Sequence, residues 1–320
     1  MAGFALATWI IVRMGSFETV AQRWRNISVL TVGTLGAVLT LAIAVRAARF
    51  AELLGMKRPA SLWASTAGYS LSCALLPGGI GELTLPFYLK AHGVTVSQGL
   101  TVAVIGRLAD IIISTVFVLP LLPALTGTSK TVVCAASIAT GALMAATVLF
   151  TYRKSEGARI GLLTLPFWHR IKLVMASVLA TVRSLSWQKL IRVALWTMAW
   201  KLLNAVMYWQ FARSLHMDIR FPQVFNALIL YSLLMILPVP SIAGFGTSEA
   251  GWMLALRSQG TSLSQAFVAG LTFHAGNLLL LTLLGGLPML RLFFRAEPNL
   301  ANQLRAAYFG KKRQRKGDVS

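Results

Sequence analysis

Six stretches of the chain are apolar for long enough to cross a bilayer: 27–45, 99–122, 131–150, 193–212, 223–239 and 263–287. The hydrocarbon core is about 30 Å thick and a helix rises about 1.5 Å per residue, so a span takes roughly 20 apolar residues. A soluble fold of 320 residues buries one or two such helices, not six. The pattern therefore predicts an all-α, polytopic integral membrane helix bundle. The opening MAGFALATWIIVRMG is apolar for only about a dozen residues, short for a span. No positive segment precedes it and no cleavage site follows, so it does not read as a signal peptide.

The polar positions between the runs set orientation. Residues 46–58 hold Arg46, Arg49, Lys57 and Arg58; 151–192 is the most basic internal segment; and the tail carries KKRQRKG. Residues 123–130 hold only Lys130 as a basic residue, and 213–221 balance Arg213 and Arg220 against Asp218. Cytoplasmic loops are enriched in Lys and Arg, which puts 46–58, 151–192 and the C-terminal tail in the cytoplasm. Counting crossings then leaves 60–90 starting and ending inside, and 223–257 starting and ending outside. Each must enter the membrane and turn back. The turns fall where Pro77, Gly78 and Gly79 interrupt the first stretch and where Pro238, Pro240, Gly244 and Gly246 interrupt the second. Proline removes a backbone donor and glycine permits unusual angles, and broken backbone survives in hydrocarbon only when packed in protein or lining a cavity. Two re-entrant helix pairs are expected; two plain kinked spans are the alternative. The basic loop 13–26 falls outside in this scheme, against the charge rule, and leaves the N-terminal topology open.

A gapless shift of 167 residues aligns the two interrupted stretches. Gly79 meets Gly246, Glu82 meets Glu249, Leu89 meets Leu256, Lys90 meets Arg257, Gly93 meets Gly260, and Ser97-Gln98 meets Ser264-Gln265. The expected organisation is one transmembrane domain over 1–290, with repeat halves of roughly 60–122 and 223–287, and a basic cytoplasmic tail over 291–320. Because the halves enter from opposite sides, the repeat is inverted, a transporter pattern in which broken helices meet near the midplane.

Composition agrees: 56% of residues are hydrophobic and 12% charged, against about 25% charged in soluble domains. The net charge of +21 lies between apolar runs and in the tail, which makes anionic lipid the expected partner and not nucleic acid. Short amphipathic pieces in 159–189 fit the cytoplasmic membrane surface. Cys73 and Cys134 sit in apolar runs without metal-ligand spacing. Nucleotide-binding loops, zinc-protease motifs and catalytic triads are absent from the sequence. No cofactor, no metal and no catalytic residue is expected, and the chain reads as a transporter rather than an enzyme.

The candidate functional residues are the polar ones inside apolar runs. Glu82 and Glu249 each follow a glycine-rich break. Each caps a helix start, where free amides favour an acid, or marks a pathway, because an intramembrane carboxylate is costly; the two roles are compatible. Arg107 and Asp110 stand three apart on one helical face, as a structural ion pair or with Arg107 as a phosphate ligand. The shift places His274 opposite Arg107 and Asn277 opposite Asp110. His274 is either a second headgroup contact or a packing residue. Thr95 and Ser262 are candidate helix N-caps. Lys201 and Asn204 share a face, and Lys201 either snorkels or lines a cavity. Several of the nine tryptophans are expected at the membrane interface.

The segment PGGIGELTLPFYLKAHGV, the following GRLADI, and PVPSIAGFGTSEAGWMLALRSQGTSLSQA resemble the flippase-like transmembrane region of the lysylphosphatidylglycerol synthetase family over roughly 20–290. The resemblance marks Gly79, Gly81, Glu82, Arg107, Asp110, Gly244, Gly246 and Glu249, the glycines as structural and the rest as substrate-binding or gating. It implies a lipid-binding bundle with two re-entrant pairs. In multidomain members this region moves an aminoacylated phospholipid between leaflets and a soluble synthetase domain follows. Here about 30 basic and polar residues follow residue 290, so the chain is expected to act without that domain. Its second motif reads Gly-Thr-Ser-Glu where relatives often carry a basic residue before the acid. The expected function is translocation of a phospholipid or lipid-linked precursor across the cytoplasmic membrane. The alternatives are a non-transporting partner of a lipid- or glycan-modifying enzyme such as a glycosyltransferase, and an intramembrane enzyme or solute transporter.

Overall fold

The computed structural model describes residues 24, 25, 27–118, 180, 185–235 and 242–296. The apolar run 131–150, the basic segment up to 184, Cys134, Pro238, Pro240, most of the N-terminal stretch and the tail from 297 lie outside the described residues. Among the described residues all regular structure is helical.

Four helices are long and apolar enough to span a membrane: Val29–Leu54 (α1), Val96–Val118 (α4), Trp187–Ser214 (α5) and the Leu263–Leu292 part of Leu263–Ala296 (α8). They correspond to the predicted runs 27–45, 99–122, 193–212 and 263–287, the second as far as residue 118. The α1 helix opens on Ser28, extended at its own backbone, whose side chain accepts from the Thr31 amide at 3.1 Å, a standard N-cap. It does not stop at residue 45. The apolar face continues through Ala47, Phe50 and Ala51, so Arg46 and Arg49 lie inside the helix and not in a loop beyond it.

The remaining helices are short. Trp63–Leu75 (α2) has 13 residues and Phe221–Leu234 (α6) has 14, or about 20 Å each, less than the hydrocarbon thickness. The α2 helix gives way to a 3-10 segment, Pro77–Thr84, then Leu85–Lys90 (α3) and α4. In the second half, α6 is followed by a 3-10 segment at Ile242–Gly244, then Thr247–Arg257 (α7) and α8. Lys90 and Arg257 end corresponding helices, and Val96 and Leu263 begin the next ones; each pair is separated by the same 167 positions. Between them Gly93 (φ 76°) and Gly260 (φ 85°) make the turn in the left-handed region, which costs glycine little and other residues more. Thr95 and Ser262 follow, and their hydroxyls accept from the amides of Gln98 (3.3 Å) and Gln265 (3.4 Å).

Helix α1 packs along α5, α2 along α8, and α7 on α8. The α2–α8 contact depends on small residues: a Cβ at Gly285 would stand 2.5 Å from the Ala67 carbonyl oxygen, and one at Gly68 would stand 3.2 Å from the Met289 nitrogen. Small residues of this kind let helix backbones approach closely in membranes, where dispersion replaces the hydrophobic drive. A cluster of rings joins α5 to α8. Trp252, 1% exposed, stacks on Tyr231 at 4.7 Å and meets Tyr208 at 4.8 Å and Phe273 at 5.0 Å. Trp252 is thus a core residue and not an interfacial anchor. A second core joins α1, α2 and α3 through Phe50, Tyr69, Leu85, Tyr88 and Leu89. Outward-facing Leu41, Leu195 and Leu283 are exposed, which suits lipid rather than water. The molecule is a membrane protein built as a helix bundle.

Two neighbouring glycines test the α2–α8 packing. Gly285→Ala places a methyl against α2 and is expected to lower the detergent melting temperature by the equivalent of about 1–3 kcal/mol. Gly286→Ala, whose nearest neighbour is Thr282 Cγ2 at 4.0 Å, has room and gains helix propensity. It should leave the melting temperature unchanged or raise it.

Candidate functional site

A cavity of about 680 Å³ lies within the bundle, bordered by α1, α2, α4, α5, α6, α7 and α8. Its charged lining comes from Arg46, Glu82, Arg107, Asp110, Lys201 and His274. Arg107 is the midpoint residue of α4 and Lys201 lies near the midpoint of α5, so these charges sit far from the ends of their spans.

A deeply buried polar contact joins three helices. Arg49 Nη1 donates to Asp110 Oδ1 at 2.5 Å and to Thr197 Oγ1 at 3.2 Å. The two charged side chains are 1% and 9% exposed. One turn earlier on α1, Arg46 donates to Ser70 Oγ (3.1 Å) and Tyr69 Oη (3.4 Å) and lies over the rings of Tyr69 and Trp200, at 4.6 and 5.1 Å. Its buried Nε has no hydrogen-bond partner among the described residues.

Arg107 and Asp110 share a helix face, but they do not pair. Asp110 is held by Arg49, while Arg107 Nη1 lies 3.7 Å from Glu82 Oε1 and its Nη2 donates to the Met235 carbonyl at 3.3 Å. Tyr69 Oη also donates to Glu82. Glu82 stands within the 3-10 segment, before α3 begins, so it does not cap an α-helix. Glu249 does. It accepts from the Gly246 amide at 2.6 Å in the first turn of α7, and its other oxygen meets His274 Nδ1 at 2.7 Å. Both acids are therefore met by the residue 25 positions later, Arg107 in the first half and His274 in the second.

The motif glycines shape the breaks around these acids. A Cβ on Gly81 would collide with the α2 backbone at Cys73 and with the Ser72 carbonyl. Gly79 lies in the same 3-10 segment. Gly244 (φ 73°) and Gly246 (φ 86°) adopt left-handed backbone and border the cavity, and Ala243, within the same break, also has a positive φ of 50°. The two 3-10 segments touch each other.

Lys201 is 1% exposed, donates to Ser232 Oγ at 3.3 Å and lies 5.7 Å from the Trp200 ring centroid. No carboxylate among the described residues is within ion-pair distance of it. Asn204, one turn on, donates to the Trp200 carbonyl at 2.7 Å, and Asn277 lines the opposite wall on α8. The fold thus gathers Glu82, Arg107, Asp110, His274 and Asn277 around one cavity, with Glu249 directly behind His274. Sequence reasoning missed Arg46, Arg49 and Tyr69. The signal for the two arginines was the apolar periodicity running on past residue 45. Among the described residues no group of three metal-ligating side chains is present.

The arrangement can hold a polar group inside a span-sized bundle. Its stability rests on the buried pair. Arg49→Met should destabilise the protein by about 3–5 kcal/mol, since it strands Asp110. Replacing both partners, as in Arg49→Met with Asp110→Leu, should recover most of that loss. Detergent melting curves of the single and double variants provide the check.

No curated protein and no solved structure matches the chain. The family model described as the lysylphosphatidylglycerol synthase TM region matches residues 1–285. That match takes in both breaks, the cavity and all but the end of α8, and the chain belongs to the lysylphosphatidylglycerol synthase transmembrane-region family.

Proposed function

We propose that the protein translocates a lipid with a polar headgroup between membrane leaflets. The observation that carries this reading is a charged cavity at mid-span, walled by two broken helix segments that touch each other. A headgroup needs polar partners inside the bilayer, while its tails need only apolar surface. The cavity supplies the first through Glu82, Arg107, Asp110, His274 and Asn277, and its rim supplies the second through residues such as Leu39, Ile43 and Leu281.

The two halves support a transport cycle. Corresponding helices begin and end 167 residues apart, and each break carries a glutamate met from the following helix. In our reading the halves form an inverted repeat with re-entrant pairs, and rocking of one against the other alternates access. Glu82–Arg107 and Glu249–His274 are then the latches of the two sides. Exchange of a latch partner for a headgroup lets one side open while the other stays closed. Membership of a family named for a lipid synthase agrees with a lipid substrate. Under the same reading the C-terminus is cytoplasmic, which the basic tail and the basic segment before α5 support.

Purified protein in liposomes, offered a panel of head-labelled phospholipids, tests this directly. Wild type should speed transbilayer movement of at least one lipid. Glu82→Gln, Glu249→Gln and Arg107→Ala should each lower that rate by about tenfold or more while the protein remains folded, the scale expected when a buried charge partner is lost. Absence of movement for every lipid, with and without a pH gradient, would remove translocation and favour a lipid-binding partner of a separate enzyme.

A further inference from the structure

Among the described residues the cavity has more cations than its acids can pair with. Three carboxylates stand at the site, and each is engaged: Asp110 by Arg49, Glu82 by Arg107 and the Tyr69 hydroxyl, and Glu249 by His274 and the Gly246 amide. The other described acids lie elsewhere, Glu52 paired with Arg192 at 3.0 Å and Asp218 exposed after α5. Arg46 and Lys201 make no ion pair of their own among the described residues: Asp110 lies near both and Glu82 near Arg46, but each of those acids is paired with another arginine. The two cations are 8% and 1% exposed, their hydrogen bonds go only to hydroxyls, and both lie within 6 Å of the Trp200 ring centroid. Both border the cavity.

A buried cation that must share an already paired carboxylate is incompletely compensated, which is costly and more so inside a membrane. An anion entering the cavity removes that cost. A headgroup that brings its own ammonium does not, because every carboxylate there is already bonded. We infer that the site selects a headgroup of net negative charge, a phosphodiester or phosphomonoester lacking an added amine, and that Arg46 and Lys201 are the residues that impose this choice. The inference rests on the lipid reading above and narrows its substrate class. It separates this chain from a carrier of aminoacylated lipid, whose ammonium groups would face Arg46 and Lys201. Arg46 offers a planar fork to the phosphate and Lys201 a point charge, with the Trp200 ring between them as an apolar floor.

The test is equilibrium binding to the purified full chain in neutral detergent, followed by titration calorimetry. The probes are short-chain phosphatidylglycerol, phosphatidylcholine, lysylphosphatidylglycerol and water-soluble glycerophosphate. Phosphatidylglycerol should bind at least about tenfold more tightly than lysylphosphatidylglycerol, with phosphatidylcholine between them, an ordering set by charge complementarity. Lys201→Met should cost phosphatidylglycerol about tenfold in affinity and narrow the gap between the lipids, whereas Lys201→Arg should keep both. Melting curves establish that the variants are folded, and the wild-type ordering decides the matter even if one is not. Equal affinities for the three lipids, or tighter binding of the lysyl form, would overturn the inference. Anion selectivity that persists without transbilayer movement would remove translocation and leave the inference standing. Glycerophosphate binding as tightly as the lipid would keep the anion site but assign it to a soluble phosphate.

Discussion

The contact between Arg49 and Asp110 fixes more of this molecule than any other polar pair. It is nearly dry, and Thr197 brings a third helix to it. Charges this deep tolerate little displacement, because a buried ion that loses its partner cannot recover solvation. The registers of α1, α4 and α5 are therefore tied at one point. Arg46 stands one helical turn before Arg49, and Arg107 one turn before Asp110. Locking the two inner residues aims the two outer ones at the cavity. The polar lining is thus a consequence of the structural pair beneath it.

Much of the architecture could be read from the chain. Four of the six apolar runs are helices long enough to span a membrane, as length and hydropathy dictate in lipid, whereas 223–239 gives the shorter α6. The paired motifs at Glu82 and Glu249 were equally legible, since Gly93 and Gly260 occupy matching left-handed turns and leave identical marks in the sequence. What escaped was tertiary. Charge counting treated Arg46 and Arg49 as loop residues, a rule that holds only while a cation in an apolar stretch has no buried acid waiting for it. Asp110, 61 residues later, was that acid. Spacing alone suggested that Asp110 would pair with Arg107 three residues before it, but a nearer candidate in sequence lost to a better-placed one in space. Nothing in the sequence set Trp252 apart from the tryptophans expected at the interface. Tryptophan often sits at the membrane interface, yet this one is enclosed by Tyr231, Tyr208 and Phe273.

The two halves share a plan and differ in chemistry. The acid of the first break answers to a guanidinium and a phenol, and that of the second to an imidazole and a backbone amide. The first half packs its acid in an open 3-10 segment and the second in the first turn of a helix. Equivalent positions therefore hold their carboxylates with different partners and different geometry. On the proposed reading, such asymmetry suits a pathway with two unlike ends, each acid answering to its own surroundings.

The direct contact between the segments Pro77–Thr84 and Ile242–Gly244 has a thermodynamic consequence. Two elements in contact cannot be moved independently. If displacing the first changes the free energy needed to displace the second, displacing the second changes that of the first by the same amount. Any molecule that binds against one break is thereby felt at the other, and the bundle keeps a single account of both.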